Sequence, residues 1–274
     1  MHEAPWSSTG TAIAIYLVAA CLHLNRVRTR PRPGGDQLAG TALFQAGLLT
    51  ALLAVISPVG YWSGQYLWVR AIQDLLLCFA APMLIACGIR GRAAQRPEPD
   101  ARPPDGAWSR AGPVVATVTF SLSCLAWHVP AFFDAVPANA AARLAEYVIY
   151  VGAGSWFWLQ ILRPLPGPWR SPLRRLGLLT ATLAVWTVLG MVLVFGSNVI
   201  YPAYVNSLHH AATVLNDQQT SGGVLWMGMM PFLVTTGVIL LTAWLNEEDS
   251  DSLTGGDPPV RDRAWGWAAR SGLR

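Results

Sequence analysis

Lysine is absent, and all 19 basic residues are arginine. Charge of either sign is scarce at 12% of the 274 residues, where soluble domains carry about 25%, and this deficit argues against an ordinary soluble enzyme. Cysteine is scarce as well. Cys21, Cys78, Cys87 and Cys124 lie in or at the ends of apolar runs without a CxxC spacing, which argues against a secreted disulfide framework and a zinc finger. No GxSxG, HExxH, phosphate loop or dinucleotide fingerprint occurs, so no enzyme activity is expected. No arginine-rich stretch is interleaved with aromatics, so a pI near 9.1 does not point to nucleic acid. The first ten residues hold no basic cluster, and the first apolar run therefore reads as a retained span.

What the chain has in abundance is apolar length. Hydrophobic residues make up 53% and the mean hydropathy is +0.37. Runs suited to crossing a bilayer lie at about 9–25, 38–57, 67–88, 112–129, 141–162, 174–196 and 222–245, bounded by Arg, Pro or Gly clusters. The expected fold is an all-α, polytopic bundle of about seven transmembrane helices, with the lipid bilayer as its solvent. The first run is the shortest and is also compatible with an interfacial helix. Arginine collects in alternate connections, after the first, third and fifth spans and in the tail. Cytoplasmic loops gather such residues, which places the N-terminus outside and the C-terminus inside. Residues 1–246 read as the seven-span domain and 247–274 as a polar cytoplasmic tail. That tail and the 91–110 loop have the Pro, Gly and charge content of poorly packed or disordered chain.

Arg70 and Arg143 escape this sorting, since both fall near the outer ends of spans. Asp74 lies four residues after Arg70, and Glu146 three after Arg143, so each pair shares one helix face. An ionisable residue within a bilayer costs several kcal/mol and marks a functional site by default. The pairs either knit helices together or act directly. Lining the path of a small solute or ion transporter is the alternative function, although no inverted repeat accompanies it. Cys124 and His128, also four apart, offer a thiolate and an imidazole suited to Cu(I) or Zn, or else a small core residue and a helix-end cap. Met227 and Met230 offer thioethers or gap-filling core. Asp217 is placed to cap the helix that follows it, and Gly222-Gly223 permits close helix approach. With Asp134, His209 and His210, these residues gather in the outer half. His23 and Cys87 lie near the cytoplasmic end.

Several segments resemble the CtaG-type multi-span cytochrome c oxidase assembly proteins. The resemblance rests on Ser57-Pro58, Gln73-Asp74-Leu75-Leu76-Leu77, Ala81-Pro82-Met83-Leu84 with Gly88, Trp127-His128-Val129-Pro130-Ala131, and Gly154-Ser155-Trp156-Phe157-Trp158. It continues through Tyr201-Pro202-Ala203-Tyr204 and Asp217-Gln218-Gln219 with Gly222-Gly223 and Trp226. It implies a multi-pass protein of the bacterial plasma membrane that assists oxidase assembly, with oxidase subunits as partners and copper delivery at the outer face. This chain departs from the pattern. Where relatives commonly carry a His-x-x-x-His in the third span it has Arg70 and Asp74, and where they carry a second His pair in the fifth it has Arg143 and Tyr147. Two readings follow: metal binding is lost and the Arg–carboxylate pairs hold the helices in its place, leaving a scaffold or divergent role, or copper is drawn to Cys124, His128, His209, His210, Met227 and Met230.

Overall fold

The computed structural model describes residues 6–28, 35–93, 107–162, 172–205 and 211–254. Among these, helix makes up 91% and strands are absent. The long elements are α1 (Trp6–Arg28), α2 (Gly35–Ile56), α4 (Leu67–Leu75) continuing through a π-helical turn (Leu76–Ala80) into α5 (Ala81–Ala93), and α6 (Ala107–Trp127). After them come α9 (Ala140–Leu162), α10 (Pro172–Phe195) and α11 (Ala211–Thr254). Short helices α3 (Pro58–Trp62), α7 (Pro130–Phe133) and α8 (Ala135–Ala138) turn the chain between them, and a 3-10 turn spans Pro202–Tyr204.

Each of the seven apolar runs thus becomes helix, but they do not all meet the same standard. Four described helices are long and apolar enough to cross a membrane, and a fifth joins them if α6 and the 130–138 segment, bent by 72°, form one broken span. The first run yields only a short apolar helix, Ile13–Asn25. α9 falls outside the set; its Arg143, Glu146, tyrosines, tryptophans and glycines lower its hydropathy. α11 starts eleven positions before the expected 222 and runs on to Thr254, past the boundary drawn at 246. The 91–110 loop shrinks from both ends, since α5 reaches Ala93 and α6 begins at Ala107; what remains of it, and the rest of the tail, lies outside the described residues.

Large apolar side chains cover the outside of the bundle, among them Leu17, Leu53, Leu122, Val148, Val188, Phe195 and Ile239. Water would penalise such continuous apolar cover, whereas lipid chains satisfy it. Inside, an aromatic core of Phe79, Phe120, Phe157, Trp158 and Trp186 is wholly or almost wholly buried. α10 and α11 meet at Gly190 and Gly222: a Cβ on Gly222 would lie 2.7 Å from Leu193 Cβ and 2.8 Å from Gly190 O. Small residues of this kind let membrane helices pack by close contact. Its neighbour Gly223 faces open space, so only one glycine of the expected pair serves the contact.

Local chemistry sets the breaks. Ser57 Oγ accepts from Val59 N at 3.2 Å and Pro58 starts α3, the usual arrangement of cap and first-turn proline. Asn139 Oδ1 accepts from Ala141 N and Ala142 N at 2.9 and 3.2 Å, starting α9. Pro130 cannot continue α6, and the chain turns at His128 and Val129 into α7.

Candidate functional site: a buried ionic cluster

α4 presents Arg70, Gln73 and Asp74 on one face, at 3%, 0% and 2% exposure. Arg70 Nε lies 3.4 Å from Asp74 Oδ1, the pair expected from their spacing. Arg70 Nη2 also donates across the bundle to Glu146 Oε1 on α9. The guanidinium carbon sits 5.3 Å from the centroid of the Phe133 ring, a cation–π contact. One guanidinium therefore serves two carboxylates. The expected Arg143–Glu146 pair does not form. Glu146 is completely buried and faces the buried Arg70, while Arg143, one turn nearer the start of α9, is only half-buried, with its Nε lacking a hydrogen-bond partner among the described residues.

His128 sits at the break after α6. Its Nδ1 lies 2.8 Å from the Cys124 carbonyl oxygen. A carbonyl can only accept, so Nδ1 carries the proton of this bond. Nε2 then faces Asp74 Oδ2 at 3.8 Å, beyond hydrogen-bond reach. The Cys124 thiol turns instead to the Cys78 thiol, 3.9 Å away on the π turn. Cys124 and His128 share a helix face as their spacing predicts, but each meets a different residue of the third long helix. Gln73 Nε2 donates to Ala54 O at 2.8 Å and to Tyr147 Oη at 3.3 Å, tying α2 and α9 to the cluster. Gln73 Oε1, Glu146 Oε2 and the Tyr150 hydroxyl are buried without hydrogen-bond partners among the described residues.

The connections close over this cluster. Tyr201 stacks on Phe133, centroids 3.9 Å apart, and its hydroxyl donates to His128 O at 3.2 Å. Tyr204 Oη donates to Ser63 O at 2.9 Å. Burial raises both phenols above their ordinary range, which keeps them protonated as donors. Burial likewise raises the Asp134 carboxyl, against a hydrogen bond from the Ala203 backbone that lowers it. Asp217 does not cap its own helix: it lies inside α11, and its two oxygens accept from Leu67 N at 2.6 Å and Trp68 N at 3.1 Å, capping α4. Gln218 Oε1 accepts from Ile200 N at 2.7 Å, Gln218 Nε2 donates to Asn198 O at 3.2 Å, and Gln219 Nε2 donates to Gly196 O at 3.2 Å. The Asp-Gln-Gln triplet is thus a clamp holding α11 to the start of α4 and to the 196–200 connection.

Of the six side chains expected to hold copper, the four that are described are not brought together. Met227 is 68% exposed on the outer surface of α11, Met230 is half-buried against the core, and Cys124 and His128 diverge as described. His209 and His210 lie outside the described residues. Among the described residues, no group of three or more His, Cys, Asp and Glu side chains is placed to hold a metal. A guanidinium with two hard carboxylates is a donor set unsuited to Cu(I), so the cluster at Arg70 does not fit that ion. The pairs proposed to line a transport path fare no better, since one is unformed and the other is sealed from both lipid and water.

Sequence reading missed Gln73 and Cys78 as members of the assembly. Gln73 carried a signal in its position three residues after Arg70. Cys78 had none, because its partner lies 46 residues away on another helix.

A family model described as cytochrome c oxidase caa3 assembly factor matches residues 14–247. No curated protein and no solved structure gives a significant match.

Proposed function

The chain belongs to the cytochrome c oxidase caa3 assembly factor family, and from that premise we propose that it works in the bacterial plasma membrane by direct contact with oxidase subunits while the oxidase is built. The observation that carries this reading is the extent of the match, which takes in every helix that contributes to the buried cluster. The arginine distribution favours seven spans with the N-terminus outside and the C-terminus inside. In that orientation the cluster and the Tyr201–Tyr204 connection lie at the outer side, where copper centres of an oxidase are reached. Copper delivery is part of the proposed role, but the Arg70 cluster is assigned a different task in it. The guanidinium fixes α4 against α9, Asp74 aligns α4 with the His128 break, and Asp217 locks α11 to the start of α4. The result is a rigid face at one end of the bundle for a partner to dock against.

Deleting the gene and measuring assembled oxidase, by activity and by subunit content of solubilised membranes, tests the proposal. Oxidase is expected to fall and to recover on complementation. Unchanged activity and subunit content in the deletion strain would overturn it.

A further inference from the structure

We propose that Cys78 and Cys124 form a two-thiol site for a soft monovalent cation of the Cu(I) or Ag(I) class, loaded past the Asp74–His128 pair. The inference deepens the reading above by naming a cargo site, and it adds a thiol pair that the reading did not use. The third long helix and α6 run antiparallel and meet at two successive rungs. Asp74 faces His128 at 3.8 Å, and four residues further along each helix toward the bundle centre Cys78 faces Cys124 at 3.9 Å. Four helical residues rise about 6 Å, so the rungs are one turn apart.

The deeper rung is built from two free thiols at 0% and 1% exposure, surrounded by aromatic core. Cys78 stands in the middle of the π turn Leu76–Ala80, where Ala81 N reaches back to Leu76 O. Such turns have poorer hydrogen-bond economy than α-helix and concentrate at functional sites. α9 also approaches closely here: a Cβ on Gly154 would lie 2.8 Å from Cys78 O, so the backbone around this cysteine is held on two sides. A thiolate and a thiol on one ion, each at a metal–sulfur distance of about 2.3 Å, are separated by up to about 4.6 Å. The observed 3.9 Å falls within that span. A disulfide would require the two sulfurs to close to about 2.05 Å.

Ligand softness and charge select the ion. Sulfur favours soft cations, and among the described residues no further His, Cys, Asp or Glu is grouped here to complete the four-ligand shell of a divalent ion. Net charge is costly among apolar groups. When one monovalent cation enters, one S–H bond breaks, one S–metal bond forms, and the second thiol binds through a sulfur lone pair. The rung then remains neutral. The released proton leaves on the anionic donor that gives up the ion. The Asp74 carboxylate of the outer rung attracts the incoming cation.

The test uses the full-length protein in lipid nanodiscs under anaerobic conditions, with Cu(I) supplied from a chromophoric chelator and Ag(I) as a redox-silent probe. One-to-one binding is expected, with sulfur ligation in X-ray absorption. Binding is lost in Cys78→Ser and in Cys124→Ser and retained in the Cys21→Ser/Cys87→Ser double variant. Asp74→Asn slows loading and leaves the stoichiometry intact. The Cys78→Ala/Cys124→Ala variant, checked for cooperative unfolding, separates loss of ligands from loss of fold. Binding that survives either serine variant, no binding beyond that of the alanine double variant, or isolation of the pair as a disulfide would each overturn the proposal. Because the readout is metal bound by purified protein, its failure leaves the oxidase-assembly reading standing, and loss of that reading would not alter the binding result.

Discussion

Removing the Arg70 charge while keeping its bulk, by Arg70→Met, leaves Asp74 and Glu146 buried without their shared counter-ion. The magnitude follows from the geometry. At 3.4 Å the Arg70–Asp74 attraction alone is gross about 5 kcal/mol at an effective dielectric of about 20. Desolvation offsets much of any such gain, but breaking a buried pair from one side still costs about 3–5 kcal/mol, because the remaining charge is stranded. Loss of the contact over Phe133 adds about 0.5–2 kcal/mol. Against a total stability of about 5–15 kcal/mol, the single variant is expected to be poorly stable or to fail to accumulate. Glu146→Gln is milder, since Arg70 keeps Asp74. The triple variant Arg70→Met/Asp74→Asn/Glu146→Gln removes all three charges and recovers most of the loss. Unfolding of the purified protein in mixed micelles, followed by tryptophan fluorescence, gives the energies. In the double-mutant cycle of Arg70→Met with Glu146→Gln, a coupling of about 0.5–3 kcal/mol is expected for groups in direct contact. Additivity together with a cost below about 1 kcal/mol for Arg70→Met, the value of an exposed pair, would refute the claim that the cluster is a desolvated ionic unit.

Asp217→Ala is expected to cost about 1–2 kcal/mol, by loss of the cap on α4, and to speed hydrogen exchange of the Leu67 and Trp68 amides selectively; a uniform change across the protein would contradict a local cap. Gly222→Val forces side-chain volume against Leu193 and the Gly190 carbonyl and should destabilise the α10–α11 contact by about 1–3 kcal/mol, whereas Gly223→Ala should be nearly silent in the same unfolding assay. Met227→Ala should change stability by less than about 0.5 kcal/mol and leave bound copper unaltered in metal analysis, since the side chain faces outward.

The apolar runs located the long helices because burial in a bilayer leaves few alternatives to helix. They could not fix the span count, since α9 trades hydropathy for the side chains that build the cluster and α1 is only briefly apolar. The i,i+4 rule identified Arg70–Asp74, a contact within one helix. The i,i+3 rule misassigned Glu146, whose partner lies 76 residues away and was decided by which guanidinium was buried. Asp217 followed the same pattern: a capping side chain was legible, but the helix it caps is 150 residues distant. Of the motifs that carried the resemblance, Tyr201-Pro-Ala-Tyr204 and Asp217-Gln218-Gln219 turn out to be tertiary clasps, and nothing in local spacing distinguishes a clasp from a ligand set.

The separation between Arg70 and Glu146 has a consequence in time. During synthesis at roughly 5–20 residues per second, the 76 residues that follow Arg70 up to and including Glu146 take about 4–15 s to appear. Throughout that interval Arg70 must be accommodated without its strongest partner, and Arg and Asp each cost up to about 2.5–3.5 kcal/mol on insertion scales, the full cost being that of a helix centre. Asp74, one turn away on the same helix, lets the segment enter the bilayer as a self-neutralised unit. The local pair is thus the escort of the long-range one, and a chain with Asp74→Asn should show its defect first in the yield of membrane-inserted protein.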